Sequence, residues 1–241
     1  MVMTHDKRRR EMLRLGVMPT GLVEYSTATL SDAFEKLGLK SQVLEPAIRP
    51  VLPFTKMVGT AVTLKVEAAE EPSSCSHLVG QAFEAGRQVV SPVLVIEQPQ
   101  EQVGATLIGS GGAHVMRHQY GFSGCLIDGL IRDTDDLLKM NFQIFCRGCH
   151  PTHTYGCLRG VSVNETVRVG GIDIHAGDIL VGDNDGIVAI PHDSLDEVLT
   201  AADESLAQER RVLQEIDSGT PYLEVVRRHQ PEAFQGEEGD G

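Results

Sequence analysis

GFSGCLIDGLIRDTDD, residues 121–136, is the stretch on which the fold turns. The apolar run Cys125, Leu126, Ile127 is short and unbroken, the signature of a buried strand. It ends at Asp128 and Gly129, and Arg132 and Asp133 then stand side by side before a helix that starts near Thr134. A strand end that sets a guanidinium beside a carboxylate can do two things. The carboxylate can hold a hard divalent cation through oxygen, and the guanidinium can grip a substrate carboxylate with paired hydrogen bonds. A plain surface ion pair is the alternative reading.

About twenty residues upstream, Gly109, Ser110, Gly111 and Gly112 lead into a helical stretch over 113–120. A glycine-rich turn feeding a helix start exposes backbone N–H groups and the positive end of the helix dipole, which suits a carboxylate or phosphate. This cradle and the Arg132–Asp133 pair converge if the intervening helix packs back against the sheet.

Working outward, 59–66 alternates as a strand, 77–86 reads as a helix, and 93–96 and 144–146 as short buried strands. Thr29, Leu30, Ser31 and Asp32 look like a capping pattern for a helix that Gly38 ends. The segment 41–54 holds three prolines and reads as a loop. From Val161 onward, short strands with Gly-Gly and Asp-Gly turns suggest an antiparallel meander over 161–163, 166–169, 172–174, 179–181 and 187–190. Ser194 and Glu197 form a capping box for a long amphipathic helix. The division expected is an N-terminal arm or helix over 1–24, one domain over 25–216, and an extension over 217–241 whose acidic, glycine-rich end at 235–241 is disordered.

The chain of 241 residues carries a formal net charge of −13, and its one basic cluster is Lys7 to Arg10. That composition argues against general nucleic-acid or membrane-surface binding. No apolar run is long enough to span a bilayer, and no apolar leader is seen, so a cytoplasmic, reducing setting with free thiols is expected.

Cys146, Cys149, His150, His153 and Cys157 crowd into one short segment. Zinc is one reading, with His175 as the nearest further ligand, and the C-x-x-C-H string matches a c-type haem attachment site. The preferred reading is that Cys146 ends a buried strand and the others line the loop after it, where His150 or His153 could approach the Arg132 pocket.

Four blocks, Tyr25 to Ala33, Gly59 to Thr63, Gly124 to Asp133 and Gly177 to Pro191, resemble the RraA-like family, which includes the 4-hydroxy-4-methyl-2-oxoglutarate/4-carboxy-4-hydroxy-2-oxoadipate aldolases. The resemblance implies an α/β fold, a swivelling β/β/α sandwich, assembled as a homo-oligomer (trimer or hexamer) with sites between subunits. It implies that Asp133 is the protein ligand of Mg2+ or Mn2+, that Arg132 binds a small keto acid, and that the backbone amides of Ser110, Gly111, Gly112 and Ala113 hold a pyruvate carboxylate. Aldolase members cleave a tertiary-alcohol keto acid to pyruvate and a second keto acid, and many decarboxylate oxaloacetate. Other members bind and restrain a ribonuclease without catalysis. A methyltransferase activity has also been attached to the family, but no S-adenosylmethionine fingerprint is present.

The pattern departs from the aldolases at one point. Their carboxylate ahead of the Arg-Asp pair is here Gly111. Glu97, Glu101 or a histidine of the 150–153 loop are the candidates to replace it, and a lyase with an altered substrate is a further alternative.

Overall fold

The computed structural model describes residues 18, 20–99, 105–153 and 156–229. Expectations for 1–17, for Glu101 and for the tail at 235–241 lie outside the described residues.

The apolar runs build the centre of one sheet. Strands β2 (Met57–Ala68), β3 (Pro92–Glu97), β5 (Gly124–Ile127) and β7 (Gln143–Cys146) lie side by side in the order β7-β5-β3-β2, all parallel. Parallel neighbours need crossovers, and helices α2 (Ser76–Gly86), α3 (Ser110–Gln119) and α4 (Thr134–Met140) supply them. Strand β1 (Arg49–Pro50) adds antiparallel to β7. On the far side β12 (Ile179–Gly182) and β13 (Ile187–Ile190) extend the sheet antiparallel.

Both faces of the central strands are buried, as unbroken apolar runs require. Leu94, Ile96, Cys125 and Ile127 pack with Phe83, Met116 and Leu137 of the three crossover helices. Val93, Val95 and Leu126 turn the other way, against the hairpin of β10 (Val167–Val169) and β11 (Ile172–Ile174). Helices, sheet and hairpin make three layers, the expected α/β sandwich. The N-terminal α1 (Thr27–Lys36) and the C-terminal α5 (Leu195–Asp217) pack with β12 and β13 through Leu30, Phe34, Val198 and Leu199. Among the described residues no helix is long and apolar enough to cross a membrane.

Beyond the main sheet, β4 (Thr106–Ile108), β6 (Leu130–Ile131) and β8 (Gly148–Cys149) form a second, three-stranded sheet, parallel and in the order β4-β6-β8. Each follows a break after β3, β5 or β7 and keeps its predecessor's neighbours. A polar seam fills the breaks. Arg147 Nε donates to Asp128 Oδ1, Gly170 N donates to Asp128 Oδ2 at 2.8 Å, Arg147 N donates to Gly129 O at 2.9 Å, and Gln98 Nε2 donates to Ala105 O at 2.9 Å.

The structure corrects several readings. The meander does not form: β10 and β11 pair only with each other, while β12 and β9 (Leu158–Val163) dock on successive parts of the same edge of β2. A strand as long as β2 can take two short partners end to end, which periodicity alone does not reveal. Helix α1 starts earlier than the Thr29 pattern suggested, with Ser26 Oγ accepting from Thr29 N at 3.0 Å. Ser194 makes no side-chain cap, because a 3-10 turn over His192–Ser194 gives it helical torsions. Helix α3 opens at Ser110, so Gly111 and Gly112 lie in its first turn rather than in a preceding loop. Past residue 217, α6 (Tyr222–His229) packs on α5, with Glu215 accepting from Arg228 at 2.6 Å and contacting His229 at 2.8 Å.

Candidate active site

Because β4, β6 and β8 run parallel, their C-terminal ends open on one edge, the place where α/β sheets gather ligands. The edge carries Gly109 and Ser110 after β4, Arg132 and Asp133 after β6, and His150 after β8. The cradle and the Arg-Asp pair therefore meet. Ser110 donates to Asp133 Oδ2 from its amide at 3.0 Å and from its hydroxyl at 3.2 Å, and Arg132 Nε lies 3.7 Å from the same oxygen.

Local backbone explains the convergence. Asp133 sits in the left-handed region, φ 61°, a conformation Asp tolerates better than most residues but still at some cost. That bend lets Asp133 start α4 while its side chain satisfies the first amide of α3 instead of its own helix. Gly109 makes room: a Cβ there would stand 2.5 Å from Asp133 Oδ2 and 3.1 Å from Arg132 Cγ.

Asp133 and Arg132 are each about one-third exposed, at 36% and 35%. Among the described residues Asp133 Oδ1 takes no hydrogen bond, so one oxygen is anchored inward and the other is open. No cluster of three or more His, Cys, Asp or Glu side chains gathers as a metal site among the described residues. A cation here would rest on one carboxylate and water, a donor set that fits Mg2+, which keeps much of its hydration shell.

The amide cradle is narrower than the sequence suggested. Ser110 N is taken by Asp133, and Ala113 N donates to Gly109 O at 3.1 Å. Gly111 and Gly112 keep amides with no acceptor among the described residues. Nothing lies within 4 Å of a Cβ built on Gly111.

The candidates for the missing acid separate. Glu97 is committed elsewhere, paired with Lys65 at 2.6 Å and accepting from Arg168 N at 2.8 Å. His153 lines a cavity of about 370 Å³ with Ser73, Ser76, Phe83 and Leu107. Among the described candidates His150 is the one placed on the Arg132 edge, its amide donating to Ile131 O at 2.8 Å.

Cys146 ends β7 as a buried residue, and its Sγ bonds Gly148 O at 3.4 Å. Burial pushes its thiol up to about 12 and that of Cys125 higher still, and burial also raises Cys149. Among the described residues these thiols join no group of three or more candidate metal ligands, and Cys146 packs as the buried end of its strand.

Two structural carboxylates escaped the sequence reading. Asp128 was read only as a strand end, yet it is buried and clasps the seam. Asp183 accepts from Thr27 N at 2.8 Å and Thr27 Oγ1 at 2.7 Å, holding the start of α1, with Lys56 at 3.7 Å. Burial works to raise the Asp183 carboxyl, but the Thr27 bonds, the Asp185 amide and Lys56 outweigh it and leave it below the usual range. The Asp-Asn-Asp-Gly turn at 183–186 was the available signal, since such turns offer carboxylates to nearby amides.

Comparison with known proteins adds independent evidence. The family model described as RraA-like, Aldolase/RraA, matches residues 27–189, more than half of the chain. A Halalkalibacterium halodurans protein named "Putative 4-hydroxy-4-methyl-2-oxoglutarate aldolase" is 30% identical over 205 residues, covering 83% of this chain and 90% of its own length. Protein DlpA of Legionella pneumophila is 26% identical over 208 residues, covering 86% of this chain, which spans only 32% of that longer protein. The crystal structure of Streptomyces coelicolor RraAS2, described as an unusual member of the RNase ES inhibitor RraA protein family, superposes with a TM-score of 0.67 at 22% identity, over 87% of this chain and 96% of that one, and shows the same fold.

Proposed function

The chain belongs to the RraA-like family, and on that premise we propose that it is a cytoplasmic, divalent-metal-dependent carbon–carbon lyase. Its substrate is a small keto acid, split by retro-aldol cleavage or β-decarboxylation through the enolate of pyruvate. The observation that carries this reading is the divided Asp133 carboxylate, one oxygen tied to Ser110 and the other open, beside Arg132 on a parallel-strand edge.

Asp133 would hold Mg2+ or Mn2+, which when bound supplies Lewis acidity toward the keto acid. The chain's own groups do the rest. Arg132 places positive charge where the enolate oxygen gains negative charge, an interaction stronger in the transition state than in the substrate. The open amides of Gly111 and Gly112, at the positive end of α3, receive a carboxylate. Ser110 and Gly109 fix Asp133 so that no reorganisation is needed when charge develops. We propose further that the protein works as a homo-oligomer, trimer or hexamer, since the edge is open in the single chain.

The test incubates purified protein with oxaloacetate and Mg2+ or Mn2+ and couples pyruvate release to a dehydrogenase. Metal-dependent turnover that disappears in Asp133→Ala supports the lyase. The second reading, a non-catalytic member that binds a ribonuclease, draws on the absent acid at Gly111. An intact oligomer with no turnover of any keto acid favours it.

A further inference from the structure

The third member of the strand edge has no role in the reading above. His150 follows β8 directly, one position beyond Cys149, which is in register with Ile131. Its main chain is pinned, with His150 N donating to Ile131 O at 2.8 Å. The segment after it is tied to the opposite strand of the small sheet, because the Thr106 hydroxyl of β4 donates to Thr152 O. His150 is therefore held between two strands rather than carried on a free loop.

The ring is also oriented. His150 Nδ1 lies 2.8 Å from Thr152 Oγ1 and accepts from Thr152 N at 3.4 Å. A backbone N–H can only donate, so the Thr152 amide contact is made by the tautomer whose Nδ1 accepts, and the Thr152 hydroxyl can rotate to suit it. In that tautomer Nε2 carries a proton, and the side chain is exposed. The outer nitrogen of the ring is then a hydrogen-bond donor.

We propose that His150 is a specificity-determining residue, donating from Nε2 to the second carboxylate of a dicarboxylic keto acid. The inference rests on the lyase reading and adds to it the residue that would hold the far carboxylate. The spacing suits the assignment. Neighbouring strands stand about 4.8 Å apart, so the ends of β4 and β8 are separated by about 10 Å, with Arg132 between them. One carboxylate sits at the Gly111–Gly112 amides on the β4 side, the reacting carbons lie across Arg132, and the far carboxylate reaches the β8 side. A monocarboxylate would leave His150 without a partner.

Calorimetric titration in the presence of Mg2+ tests this with two unreactive probes. Oxalate is short and fills only the cradle end; malate carries a second, distant carboxylate. His150→Ala is expected to weaken malate at least about tenfold, the usual worth of a hydrogen bond to a charged group, and oxalate by less than about twofold. His150→Gln keeps an N–H at the same reach and should recover most of the malate affinity. In turnover, KM for oxaloacetate should rise in His150→Ala with kcat nearly unchanged. Equal losses for both probes, no loss for either, or a Gln variant as weak as Ala would each overturn the assignment while leaving the lyase standing. A wild-type protein that binds neither probe would bring down the lyase reading and this one with it.

Discussion

Asp128 and Asp133 stand five positions apart on either side of β6, and the molecule treats them oppositely. Asp128 is buried, with both oxygens engaged by Arg147 and Gly170 N. Asp133 is one-third exposed, with one oxygen anchored and the other open. The first clasps the seam beside the sheets; the second keeps an oxygen free of hydrogen bonds among the described residues. The proposed function rests on the bonds Asp133 leaves unmade, whereas Asp128 is buried and saturated.

Breaking each carboxylate should therefore break different things. The largest effect expected is on turnover in Asp133→Ala, a fall of at least about 10³-fold if the site supplies several kcal/mol of charge stabilisation. Its thermal midpoint should move little, since a lost helix cap costs about 1 kcal/mol. Asp128→Ala should invert the pattern. Losing Asp128 leaves Arg147 paired only with the half-exposed Glu45 and the Gly170 amide without its acceptor, which should cost about 3 kcal/mol in denaturant unfolding, while turnover per folded molecule survives. Either variant showing the other's profile would abolish the distinction.

Gly109→Ala sharpens the comparison at the anchor. Its Cβ collides with Asp133 Oδ2, so the carboxylate must shift. We expect metal affinity to drop about tenfold, read by titration with Mn2+, with a loss of about 1 kcal/mol in stability. Asp183 extends the contrast to pH. Its folded pKa is depressed, so its contribution is complete above the ordinary carboxylate value and is lost as pH falls through the folded one. Asp183→Asn should accordingly flatten the fall in melting temperature below about pH 4. The smallest expected change in stability, within about 1 kcal/mol, comes from Gly111→Glu, which enters open space in the first turn of α3. If the site is a lyase short of an acid, oxaloacetate turnover in that variant should rise.

The sequence made some of this legible and hid the rest for physical reasons. Buried parallel strands announce themselves as unbroken apolar runs, so 93–96, 125–127 and 144–146 could be placed from composition alone. The meeting of the glycine-rich turn and the Arg-Asp pair was also readable, because α3 returns the chain to the neighbouring strand of the same sheet. Pairing between distant segments was not readable. Nothing in 158–182 says that β9 and β12 share β2. Asp128 read only as a strand end, since the Arg147 and Gly170 that saturate it are distant in sequence. The helix over 222–229 was missed because its anchor, Glu215, lies on the preceding helix.

One carboxylate does two tasks at the head of α3. Its inner oxygen plugs the helix start through the Ser110 amide, and its outer oxygen faces solvent. A cation on the outer oxygen would take electron density from the inner one and loosen the plug. If the proposed cation binds there, exchange of the Ser110 amide hydrogen with deuterated water would gauge its occupancy without substrate or turnover.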